Sequence, residues 1–547
     1  MTTDAVDRAF LAELEALEKF RISYSGMHPS VPLAREDPDV RRLIEAMAMF
    51  TARTRVAAER SVGTSFQKLF RQHFPHLLAP VPAMGMLRAG VTSRYVDVAE
   101  VPRGAEAILA RKTVEGRDDT FHFRTLAKLR ILPIEIAGVD LFRVRGRGHR
   151  LLVRFEASFP RNDEIGELPL YVNHLNDLRS SLTVLYELKK HLRAVSVVFD
   201  EKVNEESAGQ RVDVRFGARA SEPWEVDAHE HPLHAMRAFL HFPYQDLFLT
   251  VQGITQPRNW QRFALCFDLD DSWPTELRLT ADAFQLHTTA IENVKKDMAN
   301  PIECNGTRER WPLRHPDAAA HYAPLSVLAA YLMTEEGLVP LEPAVLGAER
   351  NSYEPHLEGV GEERVGYLAL SLPGAFDRPE RVATEATWHQ PRLRDVVASE
   401  LTTRLSDRYV DGVTWSCDGP LAMHASNALE DDREGLLQLL SIKSQRFLGR
   451  DELVFLLRAL GAQSEKHFAK LVTAIGEVGV THKPFARRGT GFKYVYAIRF
   501  DDLDGGDLPR LDALCQRLLP LLSAWSVEEV VELVARVPNL DKELTYA

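Results

Sequence analysis

Residues 36–55 read EDPDVRRLIEAMAMFTARTR, an acid–proline pair followed by apolar side chains at helical spacing. Asp37 suits an N-cap, and Pro38 suits the first turn, where its missing N–H costs nothing. Val40, Leu43, Ile44, Met47, Phe50 and Thr54 recur at three and four residues, while Arg41, Arg42 and Arg53 fall on other faces. The pattern predicts an amphipathic helix. Its apolar stripe fits equally a buried core and a contact with another subunit.

Upstream, Phe10, Leu14 and Leu17 share one helical face, and Gly26, Pro29 and Pro32 break the chain between Tyr24 and Pro32. Downstream, Phe66, Leu69, Phe70, Phe74 and Leu77 predict a third helix over residues 64–78, stopped by Pro80 and Pro82. Past Pro82 the pattern becomes short strands: Ser93–Val101, Thr120–Phe123, Val139–Val144, Leu151–Phe159 and Leu168–Val172. A helix over Asn176–Ala194 follows, then strands at Val195–Phe199 and Val212–Phe216 and a short helix at His234–Leu240. Strands are expected at Phe263–Leu269 and Thr275–Leu279, with Phe284–Ile291 extended. Gly366–Leu372 follows, and Arg378–Pro391 shows no periodicity. From about Arg433 the chain is helix-rich, with Gly435–Ser444, Asp451–Leu460 and Leu508–Trp525, a strand at Phe492–Phe500, and strand or short-helix character at Val527–Val537.

These segments predict a multidomain α+β fold, with N-terminal helices, β-rich domains and a helix-rich α+β C-terminal region. The expected divisions are 1–82 helical, 83–340 β-rich with inserted helices, 341–432 mixed and irregular, and 433–547 α+β. A length of 547 residues requires several cores, and 45% apolar with 27% charged residues is ordinary globular composition. A net charge of −11 argues against nucleic acid as the main partner and against an anionic membrane surface. Cys266, Cys304, Cys417 and Cys515 are scattered, giving neither a zinc ligand pair nor a disulfide framework. The acidic, helix-forming N-terminus and the shortness of apolar runs such as Ser326–Met333 predict a cytoplasmic protein with no direct membrane insertion.

The strongest candidate for chemistry is His229-Glu230-His231-Pro232-Leu233-His234, with His241 nearby. Histidines two and five residues apart can converge on one metal, which gives a metal-dependent hydrolase as the alternative function. In the H-x-H-x-D-H pattern of binuclear sites the aspartate holds the second metal, and Leu233 stands there instead. A polar loop entering the helix at His234 explains the cluster without metal. Gly359-Val360-Gly361 lacks the third glycine of a phosphate loop, and Gly489-Thr490-Gly491 reads as a hairpin turn. Arg143, Arg145, Arg147, His149, Arg150 and Arg154 alternate as a strand with a basic wet face would, with a turn at Gly146-Arg147-Gly148. No catalytic, cofactor-binding or metal residue is assigned from the sequence.

Several segments resemble, in order, those of the TssF family of type VI secretion baseplate subunits, also known as VasA- or ImpG-like. They are LEALEKFRISYSGMHPSVPL (Leu14–Leu33), the quoted Glu36–Arg55 stretch with its Asp-Pro-x-Val start, FRQHFPHLLAPVPAM (Phe70–Met84) and VPRGAE (Val101–Glu106). LPLYVNHLNDLRSSLTVLYELKKHL (Leu168–Leu192), HPLHAMRAFLHFPYQDLFLTVQG (His231–Gly253) and TTAIENVKKDMANPIECNGTRERWPLR (Thr288–Arg314) continue the series. LLQLLSIKSQRFLGRDELVFLLRAL (Leu436–Leu460) and FARRGTGFKYVYAIRFDD (Phe485–Asp502) complete it. Phe74 and Leu77 replace the family's tyrosines, and its Cys-Thr-Asn-Arg-like segment is absent near Val396–Leu405, as in a divergent member. The resemblance implies a structural, non-enzymatic wedge protein without cofactor. Two copies would join one TssG-like subunit, beside TssK-like and TssE-like proteins, around a VgrG spike hub, with self-association and no nucleic acid. It also implies that Val40, Leu43, Ile44, Met47 and Phe50 are the partner-interface candidates.

Overall fold

The computed structural model describes all residues except 1, 29, 31–37, 74–79, 113–117, 145, 147, 202, 204–206, 220–231, 345–350, 359–364, 397–399, 407–409, 418, 426–428, 430–431, 463–466, 485–491 and 527–529. Two compact units result, Met1–Pro75 and His76–Ala547. Among the described residues there are eight α-helices. They are α1 (Thr2–Met27), α2 (Pro38–His73), α3 (Leu178–His191), α4 (Pro232–His241), α5 (Arg433–Lys443), α6 (Arg450–Leu457), α7 (Ala469–Thr473) and α8 (Leu508–Trp525). The multidomain α+β class expected from the sequence is what forms.

The first unit is a helical hairpin of α1 and α2. The expected second and third helices are one 36-residue helix. Strong helix formers, Ala57, Ala58 and Glu59, carry the helix up to Gly63, and a single glycine costs only about 1 kcal/mol, too little to end it. Pro38 opens α2 as expected, while its expected cap Asp37 lies outside the described residues.

The second unit is mostly sheet. An eight-stranded sheet runs in the order Phe284–Gln285, Leu168–Val172, Phe248–Gln252, Gln210–Phe216, Leu192–Phe199, Trp260–Leu269, Gly148–Arg161 and Ile134–Val144. Its core stacks Phe155 on Phe263 at 4.6 Å, with Trp260 edge-on to Phe263 at 5.7 Å. Helix α3 is started by Asp177, whose carboxylate accepts from the Ser180 N–H at 2.8 Å, and buries Leu178, Leu182, Leu185 and Leu188. A six-stranded sheet joins chain-distant pieces: Thr402–Leu405, Glu106–Lys112, Asp118–Thr125, Thr288–Glu292, Met84–Val91 and Val413–Ser416.

A five-stranded sheet holds Lys295–Met298, Glu380–His389, Ala323–Thr334 and Gly337–Pro340, with Ile302–Cys304 also on Glu380–His389. A four-stranded sheet, Arg310–Pro312, Val365–Ser371, Ser352–Glu358 and Glu342–Pro343, shares its core, which includes Ile302, Leu341, Tyr353 and Trp388. The border expected at 340/341 runs through this core. The strand Glu380–His389 escaped the sequence reading because it is covered on both faces: Val382, Thr384, Ala386 and Trp388 are fully buried, with Ala383, Thr387 and His389 nearly so. Conversely, the strand expected at Thr275–Leu279 does not form; the Leu277 N–H closes a turn on the Pro274 carbonyl at 3.0 Å. Of Ser93–Val101 only Ala99–Val101 is strand. The last sheet places Phe492–Phe500 parallel to Val530–Val537, linked by α8, with Ile475–Pro484 and Lys542–Tyr546 on its edges.

Buried titratable groups in this unit predict its response to acid. His287 is 5% exposed, and its Nε2 accepts from the Leu132 N–H at 3.1 Å. Burial holds its pKa down to about 3, and burial beside Arg237 holds that of His241 down to about 4. The hydrogen bond from His122 to Glu106, 2.6 Å between Nδ1 and Oε1, lowers the Glu106 carboxyl to about 2. The unfolded chain therefore takes up protons below about pH 6.5 on the histidines, and below about 4.5 on the glutamate, that the folded chain refuses. Stability should fall steadily from pH 6.5 towards 3, as read by urea unfolding at several pH values. His287→Gln keeps an acceptor for Leu132 and should flatten the upper limb; an unchanged slope in that variant would remove His287 from the account.

Candidate interaction surface

Helix α2 turns small residues inward. Ala48 and Ala52 are fully buried and Val56 is 8% exposed, a seam at every fourth residue that lets α1 lie close. Helix α1 returns Phe10, Leu14 and Leu17, each only half-buried. The two helices, about 39 and 54 Å long at 1.5 Å per residue, are tied by Arg55, which donates from Nη1 to Glu13 at 3.2 Å and from Nε to Glu59 at 3.1 Å. These carboxylates raise the Arg55 pKa, and Lys19 at 2.7 Å holds the Glu15 carboxyl below its ordinary value. Arg41 and Glu45 pair along the helix at 2.9 Å.

The larger apolar side chains face out. Phe50 is 74% exposed, Leu43 62% and Met47 52%, while Val40 and Ile44 are half-buried. On a helix of 3.6 residues per turn, Leu43, Met47, Phe50 and Thr54 fall in one stripe on the side away from Ala48 and Ala52. Helix α1 adds Leu11, Phe20, Ile22 and Met27, which the sequence reading missed. Among the described residues, eight of the eighteen large apolar side chains that stand exposed lie in this hairpin. A pair of helices cannot bury two apolar faces at once, so the hairpin leaves this second apolar face in solvent.

The other candidates fare differently. His229 and His231 lie outside the described residues, as do Gly359-Val360-Gly361 and Gly489-Thr490-Gly491, while His234 is exposed in the first turn of α4. Among the described residues no group of three or more His, Cys, Asp or Glu side chains is placed to hold a metal ion. The basic run is not one wet face. Arg150 is buried and donates to Asp268 at 2.6 Å, and His149 is buried; Arg154 is exposed but pairs with Asp140 at 2.7 Å, Arg143 is exposed, and Arg145 and Arg147 lie outside the described residues. Gly148–Arg161 is an interior strand, so its neighbours neutralise the arginines that a surface hairpin would offer to phosphate. Gly146 and Gly148 do make the expected turn, with φ of +73° and +97°. All four cysteines are free and buried. Among the described residues no helix is long and apolar enough to cross a membrane.

Comparison with known proteins gives these surfaces a context. Residues 15–345 match the family model for "Type VI secretion system, TssF". Over 146 residues the chain is 30% identical to the type VI secretion system component TssF1 of Pseudomonas aeruginosa, an alignment covering 26% of this chain and 22% of that relative. The chain thus spans about a fifth of that relative's length in the matched part. In fold it is similar to a chain of a TssK-TssF-TssG baseplate subcomplex, with TM-score 0.76 and 18% identity over 93% of this chain and 98% of the other. It is similar also to a chain of a type VI secretion baseplate complex, with TM-score 0.62 and 17% identity over 99% and 98%.

Proposed function

This chain belongs to the TssF family of type VI secretion, and from that premise we propose that it is a structural, non-enzymatic wedge subunit of a cytoplasmic contractile baseplate. Its partners are a TssG-like subunit, clasped by two copies of this chain, and a TssK-like protein, with a TssE-like protein and a VgrG hub completing the platform. The apolar outer face of the α1–α2 hairpin carries this reading: Leu43, Met47 and Phe50 would be buried by partner helices. One of the similar solved structures is of a TssK-TssF-TssG baseplate subcomplex, which supports the choice of partners. Baseplate work calls for large, specific surfaces and requires no bond-breaking centre.

Co-expression with the TssG-like subunit tests the proposal. A complex with two copies of this chain per partner, by light scattering after size exclusion, is the expected result. A monodisperse monomer that ignores that partner would overturn it.

A further inference from the structure

A second surface lies far along the chain from the helical hairpin. The strand Ala323–Thr334 turns through Glu335 and Glu336 into Gly337–Pro340, the edge of the five-stranded sheet. Gly337, at φ +135°, takes the conformation the tight turn needs, and its carbonyl accepts from the Thr334 hydroxyl at 2.9 Å. Every residue from Met333 to Pro340 is exposed, including Met333 at 42%, Leu338 at 55% and Val339 at 48%. Met333 lies opposite Leu338 on one face, and Leu332 lies opposite Val339 on the other. The tip is an apolar finger with both faces in solvent.

The edge itself is a poor template for another strand. The Leu341 N–H donates to the Ala330 carbonyl at 2.9 Å, which sets the alternation so that Val339 bonds inward and Leu338 and Pro340 face outward. Pro340 has no N–H, so Leu338 supplies the single outward donor of Gly337–Pro340. Recognition must therefore come through side chains. No flat surface can cover Leu338 and Val339 together, because they point to opposite sides.

Charge selects the partner. Between Ala323 and Pro343 the chain has Glu335, Glu336 and Glu342, all exposed, and no lysine or arginine. The adjoining strand brings one base to this end, Arg381, set opposite Glu303 in the ladder.

We propose that this finger inserts into a cleft of another baseplate subunit, with apolar walls on both sides and basic side chains at its rim to meet Glu335, Glu336 and Glu342. The inference rests on the proposed baseplate role. It names a contact distinct from the helical hairpin.

Site-directed labelling tests it on the assembled complex. The four cysteines of the chain are buried, so Leu338→Cys and Val339→Cys each supply a reactive thiol. In complexes co-expressed with the TssG-like and TssK-like subunits, maleimide labelling at both positions should slow at least tenfold relative to the isolated chain. Raising the salt to dissociate the acidic tip from its basic rim should restore it. Protection of only one thiol means a flat contact and overturns the cleft, as does protection of neither. Protection in the isolated chain that grows with its concentration means a second copy is the occupant and overturns it too. If the complex forms while both thiols label freely, this inference fails and the baseplate role stands; if no complex forms, both fail.

Discussion

The double variant Met47→Asp, Phe50→Asp should fold as the parent does and lose its TssG-like partner by about a thousandfold. Both side chains stand mostly in solvent, so their replacement costs the isolated chain less than about 0.5 kcal/mol. In the complex each would surrender about 2 kcal/mol of apolar burial, and each new carboxylate would have to be desolvated or protonated. A loss of about 4 kcal/mol is about a thousandfold in affinity. Ala52→Asp provides the contrast: it drives a charge into the fully buried seam against α1 and should unfold the hairpin, visible as lost helical signal. Binding by the double variant at parental affinity would show that the outward stripe is not the contact. Loss of helicity in the double variant would show instead that it packs inside the chain.

How legible this was in the sequence depends on how each side chain is covered. Leu168–Val172, Phe492–Phe500 and Leu508–Trp525 form as their patterns predict. The helix expected over Asn176–Ala194 likewise forms, as α3, within two or three residues of its expected ends. The apolar stripe of α2 was equally clear, but its direction was not. Hydrophobicity points to Leu43, Met47 and Phe50 as the likeliest to be inside, whereas the packed seam consists of Ala48 and Ala52, whose small side chains permit close approach while adding little to any apolar pattern. Glu380–His389 lost its alternation through burial on both faces. The finger at Met333–Pro340 could not be read at all, since LMTEEGLVP looks like a short apolar hairpin in any core, and its exposure is decided by the sheet around it.

The second large effect is expected deep in the C-terminal region, at Asp512. Its carboxylate, 7% exposed, accepts from the Tyr546 hydroxyl at 2.7 Å, from Lys189 Nζ at 3.0 Å and from Gln516 at 2.5 Å. One carboxylate therefore joins α8, the last strand Lys542–Tyr546 and helix α3, which belongs to the eight-stranded sheet's core. Burial and this negative neighbour push the Tyr546 phenol well above its ordinary range, so it stays a donor at all ordinary pH. Asp512→Ala leaves that hydroxyl buried without its acceptor, whereas Lys189, about a third exposed, can turn to water. The cost should be about 3 kcal/mol, or about a hundredfold in the opening equilibrium of the final strand. Hydrogen exchange would read this as faster exchange in Lys542–Tyr546 and along α8, with the six-stranded sheet unchanged. Asp512→Asn keeps a carbonyl for Tyr546 and should recover most of the protection. The effects of Asp512→Ala and Tyr546→Phe should fall short of their sum when combined, because the second removes the donor that the first strands. Equal exchange in Asp512→Ala and the parent would mean the C-terminal strand is held by its ladder and its apolar contacts alone.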